Sequence, residues 1–426
     1  MRELKLAGIF ALALLACAAY AGPAALVEFD RGGGAILPAA ANGGVPPAPA
    51  PALAAATQDK PVWISVADGD IEALSGEFDF RELKRLARGP EASVYQVNTS
   101  DLDSLAGIMH RKLHKCGGFF TSSSLEAARS VVAPAPPAAP AAYTIDQRGR
   151  VSAMLALADE NELAATISSL SAYKTRYYAS QTGADAAEWL RAYWGRLAAG
   201  RDDITVEAYR HADWAQESVI LTVRGASEPD KVVVLGGHLD SISRAGPAAD
   251  APGADDNASG IAALTEAIRV LTVSGYRPSK TVKFIGYAAE EVGLRGSQDI
   301  AGAFRRAGTR VEGVIQFDMT NFNGSPEDIF LITDNTDAAQ NSFLGSLVKT
   351  YTDYRLGETR CGYACSDHAS WTKNGYAASF PFEASFAKTN PAIHSDKDTL
   401  ARSGGRALHA LKFAKLAVAY LVETAK

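Results

Sequence analysis

Three apolar runs in the second half of the chain each end in residues that can bind a metal or carry a proton. His238 and Asp240 follow the run at 231–237, Glu290 and Glu291 follow the run at 281–287, and Asp318 follows the run at 311–317. Two further polar groups complete the set: Asp255 and Asp256 inside Gly253-Ala254-Asp255-Asp256-Asn257-Ala258-Ser259-Gly260, and His394 inside Asn390-Pro391-Ala392-Ile393-His394-Ser395-Asp396. Imidazoles and carboxylates without thiolates are the donors of a hydrolytic zinc, cobalt or manganese site. Singly, each has an ordinary explanation: a hydrogen-bonded histidine, a solvated glutamate pair, a helix N-cap. It is their joint occurrence after successive strand-like runs that points to chemistry.

The elements that must position them alternate. The runs at 231–237, 281–287 and 311–317 are rich in Val, Ile and Phe and read as strands, while 259–271, 338–351 and 405–424 have helical spacing. Strands and helices in that order predict an α/β three-layer sandwich with a mainly parallel central sheet. In such sheets ligands gather at the carboxyl ends of the strands, where the His and carboxylate residues fall. No internal repeat is present.

The rest of the chain bounds the function. With 42 Lys+Arg against 48 Asp+Glu and a formal charge of −6, it has no basic run suited to a phosphate backbone, so nucleic-acid binding is not expected. Four cysteines without paired CxxC units exclude a cysteine-only zinc module. Residues 1–21 carry Arg2 and Lys5, an apolar stretch and Ala19-Tyr20-Ala21, the layout of an export signal, so the protein is expected to be secreted, extracellular or periplasmic. Leu14-Leu15-Ala16-Cys17 also resembles a lipobox, which would tether Cys17 at a membrane; otherwise no membrane association is expected. Residues 22–59 form an Ala/Pro/Gly-rich linker, 60–142 a small α+β unit ending in a second Pro/Ala tract, and 143–426 the main domain. A folded unit joined by an exposed tether in an exported chain suggests a processing site.

The motifs Gly237-His238-Leu239-Asp240-Ser241, Gly253 to Gly260, Ala289-Glu290-Glu291-Val292-Gly293-Leu294-Arg295-Gly296-Ser297, Phe317-Asp318-Met319 and Ile393-His394 resemble those of the dizinc aminopeptidases of peptidase family M28. Within that family the secreted bacterial leucyl aminopeptidases are most similar, also in Cys361 to Trp371 and in the region around Lys115-Cys116-Gly117-Gly118, which resembles their propeptide. The resemblance spans about 61–400 and implies a zinc-exopeptidase fold behind a propeptide domain. It implies two Zn(2+) ions: His238 and Asp318 on one, Glu291 and His394 on the other, Asp255 bridging. Asp240 would then fix the His238 tautomer and Glu290, free of the metals because neighbouring side chains diverge, would be the general base. It also implies an apolar pocket of Met319, Ile332, Tyr363, Phe380, Phe382, Phe386 and Ile393 for Leu or another large first residue of a peptide substrate. Cys361 and Cys365, four apart in a Gly-containing loop of an exported chain, are expected to pair, leaving Cys116 single. A monomer is expected. A carboxypeptidase or glutaminyl cyclase on the same fold is the alternative enzyme, with Arg360 the nearest carboxylate-binding suspect, and a non-catalytic receptor-like module the alternative class.

Overall fold

The computed structural model describes residues 59–426, apart from 81, 114, 116, 134, 135, 137 and 139–141. The expected signal, most of the first linker, Cys17 and Cys116 lie outside the described residues.

The N-terminal unit is a four-stranded sheet of β1 (Pro61–Ala67), β2 (Arg85–Arg88), β3 (Ala92–Asn98) and β4 (Phe119–Ser122) in the order β2-β3-β1-β4, all pairings antiparallel. Alternation along β1 buries Val62, Ile64 and Val66. The helix Leu102–Ile108 adds Leu102, Leu105 and Ile108 to that core and passes directly into a π-helical turn, Met109–Leu113.

The remainder is built on a six-stranded sheet of β5 (Ile204–Tyr209), β6 (Ser218–Val223), β7 (Glu228–His238), β8 (Lys280–Tyr287), β9 (Arg310–Gln316) and a short strand at Ala378–Ser379. From the short strand through β9, β7 and β8 all neighbours are parallel; β6 and β5 continue antiparallel at one edge. The parallel strands are buried on both faces, which is why they read as continuous apolar runs. Val233 and Leu235 face one layer with the helices Gly260–Val273, Gln181–Leu197 and Ala410–Thr424. Val232 and Val234 face the other, with the helix Arg295–Arg306 and Trp371. A second sheet of three strands, Leu356–Thr359, Ile329–Ile332 and Pro381–Phe382, lies beside the site and was not foreseen. Among the described residues no helix is long and apolar enough to cross a membrane.

Candidate active site and metal centre

The three parallel strands β7, β8 and β9 deliver His238, the Glu290–Glu291 pair and Asp318 to one rim. The loop before the helix Gly260–Val273 must reach the same rim, and its glycine permits the path: Gly253 has φ 52°, and a Cβ there would lie 2.4 Å from the Asp256 carbonyl oxygen. Left-handed backbone at non-glycine residues gathers here too, at Ala289 (φ 55°), Met319 (φ 52°) and His394 (φ 56°). Such conformations persist only where the surroundings over-determine them, and they cluster at functional sites.

Asp256 occupies the centre. Its Oδ1 lies 3.0 Å from His238 Nε2 and its Oδ2 lies 2.9 Å from His394 Nε2. The expectation put Asp255 in that place, and the structure corrects it. Asp255 turns away from both imidazoles, its carboxylate accepting from the Asn321 backbone at 2.9 Å, Asn390 Nδ2 at 3.1 Å and Ser259 Oγ at 3.3 Å. The loop turns Asp256 to the imidazoles and Asp255 to Asn321 and Asn390, and the spacing of the motif did not say which would face the rim.

Around Asp256 the other donors close in. Asp318 Oδ1 is 3.3 Å from His238 Nε2, while its Oδ2 accepts from Ser366 Oγ at 2.6 Å. Glu291 Oε2 is 3.2 Å from His394 Nε2, and Glu290 Oε2 is 4.0 Å from His238 Nε2. Both glutamates therefore point inward, and donor atoms of His238, Glu290 and Glu291 lie within 4.8 Å of one another. The expected divergence of neighbouring side chains holds on a strand, but these two residues lie past the end of β8, beyond the left-handed Ala289.

Asp240 acts through its backbone as well as its carboxylate. Its carbonyl accepts from His238 Nδ1 at 3.2 Å, with the carboxylate 3.5 Å from the same nitrogen, which leaves Nε2 free to face the rim. The carboxylate accepts the backbone N–H groups of Glu290 (3.0 Å) and Glu291 (3.1 Å).

The electrostatics are those of a cation site. The carboxylate oxygens of Glu290 and Glu291 and Oδ1 of Asp318 are buried without a hydrogen bond among the described residues. Burial pushes the Glu290 carboxyl well above its ordinary range, and burial with the neighbouring Asp256 charge raises Glu291 to about 7. Burial opposes a charge on His238, but Asp318 and Glu290 outweigh it and hold its pKa well above normal. Burial likewise opposes ionisation of Asp256, and the two imidazoles overcome it, keeping that carboxyl well below its usual range. Orphaned buried carboxylates beside imidazole nitrogens fit divalent metal ions, which would satisfy them all at once.

Several supporting residues gave no signal in the sequence. Asp398 accepts the backbone N–H of Asp255 (3.2 Å) and of Asp256 (3.1 Å), and burial raises its pKa to about 8. Glu383, pushed well above its ordinary range by burial and by Asp255, accepts from the Phe322 and Asn390 backbones. Gln316 Nε2 bridges Ser366 Oγ and Asp367 Oδ2, fixing the serine that holds Asp318. Isolated acids of this kind are common in any sequence, and only folding gathers them.

Met319, Ile332, Tyr363, Phe380, Phe382 and Ile393 pack into one buried apolar cluster, with Phe386 against it; Phe330 and Cys365 join them. Cys361 and Cys365 are joined by a disulfide at the edge of this cluster, Cα to Cα 6.1 Å. Arg360 is not in the cluster.

A parallel α/β sheet whose strand ends present His238, Glu290, Glu291 and Asp318, joined by Asp256 and His394 from two loops, defines a metal-dependent hydrolase. The peptidase family M28 model matches residues 218–419. The chain is 37% identical over 274 residues to a probable aminopeptidase of Saccharomyces cerevisiae, covering 62% of this chain and 73% of that protein. It is 35% identical over 313 residues to a probable leucine aminopeptidase of Arthroderma otae, covering 72% and 85% respectively. The crystal structure of the Legionella pneumophila LapA aminopeptidase superposes with TM-score 0.75 at 29% identity, over 86% of this chain and 99% of that one. Legionella pneumophila LapB gives 0.75 at 26%, over 86% and 100%. The chain belongs to peptidase family M28 and is a metallo-aminopeptidase.

Proposed function

We propose that this chain is a secreted aminopeptidase that uses two zinc ions to remove Leu or another large apolar residue from the N-terminus of peptides. The observation that carries this reading is the Asp256 carboxylate, spread between His238 at 3.0 Å and His394 at 2.9 Å. His238 and Asp318 would hold one metal, Glu291 and His394 the other, with Asp256 shared between them. A shared carboxylate offsets the repulsion of two cations about 3.5–4 Å apart. When bound, the metals would supply Lewis-acid polarisation of the scissile carbonyl and activation of water.

The chain's own groups do the rest. Glu290, buried and with neither carboxylate oxygen hydrogen-bonded among the described residues, takes the proton from the attacking water and returns it to the leaving amine. Asp240 holds the backbone of that glutamate and the ring of His238 in register. The apolar cluster of Met319, Phe380, Phe382 and Ile393 gives the first side chain a water-excluding surface, in keeping with the leucine aminopeptidase names of the relatives. The unit at 60–142 is a propeptide that covers this rim until it is removed, and the protein acts as a monomer.

The test is an assay of purified protein on aminoacyl anilides and their N-acetylated counterparts, with metal analysis alongside. Two equivalents of zinc, loss of activity with chelator, and preference for Leu over Lys or Glu anilides are expected. Equal turnover of N-acetylated substrates would defeat the exopeptidase assignment. N-terminal sequencing of the active secreted form should begin after residue 132.

A further inference from the structure

One imidazole reaches the metal rim from outside the peptidase motifs. His110 lies in the π-helical turn Met109–Leu113 of the N-terminal unit, and such turns often mark functional positions. Its Nε2 is 3.6 Å from Glu291 Oε2, and its ring centroid is 4.2 Å from that of His394. The residue is fully buried, and neither ring nitrogen has a hydrogen-bond partner among the described residues. A buried imidazole left without a hydrogen bond costs about 1–3 kcal/mol, so a structure that keeps one there must reward it otherwise. Donor atoms of His110, Glu291 and His394 all lie within 4.8 Å of one another.

The unit that carries His110 is anchored on the turn that carries Glu291. The Thr121 backbone N–H of β4 donates to the Gly293 carbonyl at 3.3 Å. A Cβ on Gly293 would lie 2.7 Å from Thr121 Oγ1 and 2.8 Å from the Phe119 ring, so only glycine permits this approach. Met109, Phe119, Ala289 and Val292 share one apolar cluster. The imidazole is thus placed by packing on both sides of it.

We propose that His110 Nε2 is a ligand of the metal held by Glu291 and His394, so that the N-terminal unit closes the enzyme through a metal bond. A catalytic zinc site keeps a position open for water or substrate, and a further protein donor fills it. The metal then belongs to both units, and loading it tightens their contact. This rests on the metal-centre reading above and adds to it a residue that a simple steric cover would not need.

The experiment uses the full chain with its N-terminal unit, loaded with cobalt(II), whose visible absorption reports its ligands. His110→Phe keeps a ring to pack on His394 but cannot ligate. The wild-type chain should bind two cobalt ions. The variant should bind one of them at least about tenfold more weakly, the lower range for losing even an outer partner of a ligand, and its absorption band should change. Metal loading should slow amide exchange over residues 102–113 in the wild type and not in the variant. His110→Ala gives a second arm: added imidazole should restore the wild-type band. Identical affinity, band and metal-dependent protection in wild type and His110→Phe would overturn the proposal and leave the metal centre standing. A wild-type chain that takes up no metal would overturn the metal-centre reading, and this inference with it.

Discussion

The carboxylate of Asp240 accepts the backbone N–H of Glu290 at 3.0 Å, tying the end of β7 to the turn after β8. Its other oxygen takes the Glu291 N–H at 3.1 Å, so one buried acid sets the position of both glutamates. Asp240→Ala would leave two buried N–H groups unsatisfied and let the turn shift. Misplacement by about 1 Å can cost on the order of 10²-fold in rate. The expected outcome is a fall in kcat of that order with the protein still folded by circular dichroism; unchanged kcat would show that the turn is held by its packing alone.

Asp255 and Asp256 are separable by metal content. Asp256→Asn should release metal from both sites, because its carboxylate is the group between His238 and His394. Asp255→Asn should retain both ions and lose mainly stability, because that side chain is spent on Asn321, Asn390 and Ser259. Inductively coupled plasma analysis of the two dialysed variants decides between them, and the opposite pattern would restore Asp255 to the centre.

That pair also shows how far the sequence could be read. The alternation of apolar runs and helices located β7, β8 and β9, and the rule that chemistry lies at strand ends located His238, Glu290, Glu291 and Asp318. Which of two adjacent aspartates faces inward depends on loop geometry around Gly253 and on Asp398, a residue 142 positions later that accepts the Asp256 N–H. Single-letter spacing carries no trace of that contact. His110 was equally silent: it stands in an amphipathic stretch of the N-terminal unit, and its meaning lies in the docking of Thr121 on Gly293.

Glu290→Gln should abolish turnover while leaving the metals bound. Gln keeps the size of Glu290 but cannot accept a proton, and loss of a general base costs about 10²–10⁴ in rate. Glu291→Gln removes a donor that lies 3.2 Å from His394 Nε2, so it should lower metal content first. Turnover and zinc stoichiometry measured on both variants test the division of labour; a Glu290→Gln protein that loses zinc while Glu291→Gln keeps it reverses the two roles.

The disulfide is tested by mass. Unreduced peptide mapping should show Cys361 linked to Cys365. Because Cys365 is buried in the cluster with Tyr363 and Phe380, Cys361→Ser/Cys365→Ser should raise KM for Leu substrates more than it lowers kcat. Two alkylatable thiols at these positions would contradict the pairing.

Acid stability should report His409, away from the metal rim. Its Nε2 donates to the Glu383 carbonyl at 3.0 Å and its Nδ1 accepts from Lys412 Nζ at 3.0 Å, so the ring is neutral. Burial, with the Lys412 ammonium, lowers its pKa to about 4, although Asp328, which accepts from the same lysine at 2.7 Å, works the other way. The folded pKa is below the unfolded value of about 6.5, so the contribution is fully present above pH ~6.5 and is lost as pH falls towards 4. The shift corresponds to roughly 3 kcal/mol, of which most is gone by pH ~4.5. His409→Gln can keep both hydrogen bonds and does not titrate. Urea unfolding of wild type and variant at both pH values isolates the effect, since any acid release of metal is common to the two. The wild type should lose about 2–3 kcal/mol more than the variant on acidification; parallel losses would place the acid sensitivity elsewhere, with the buried His368, lowered to about 3, the next group to replace.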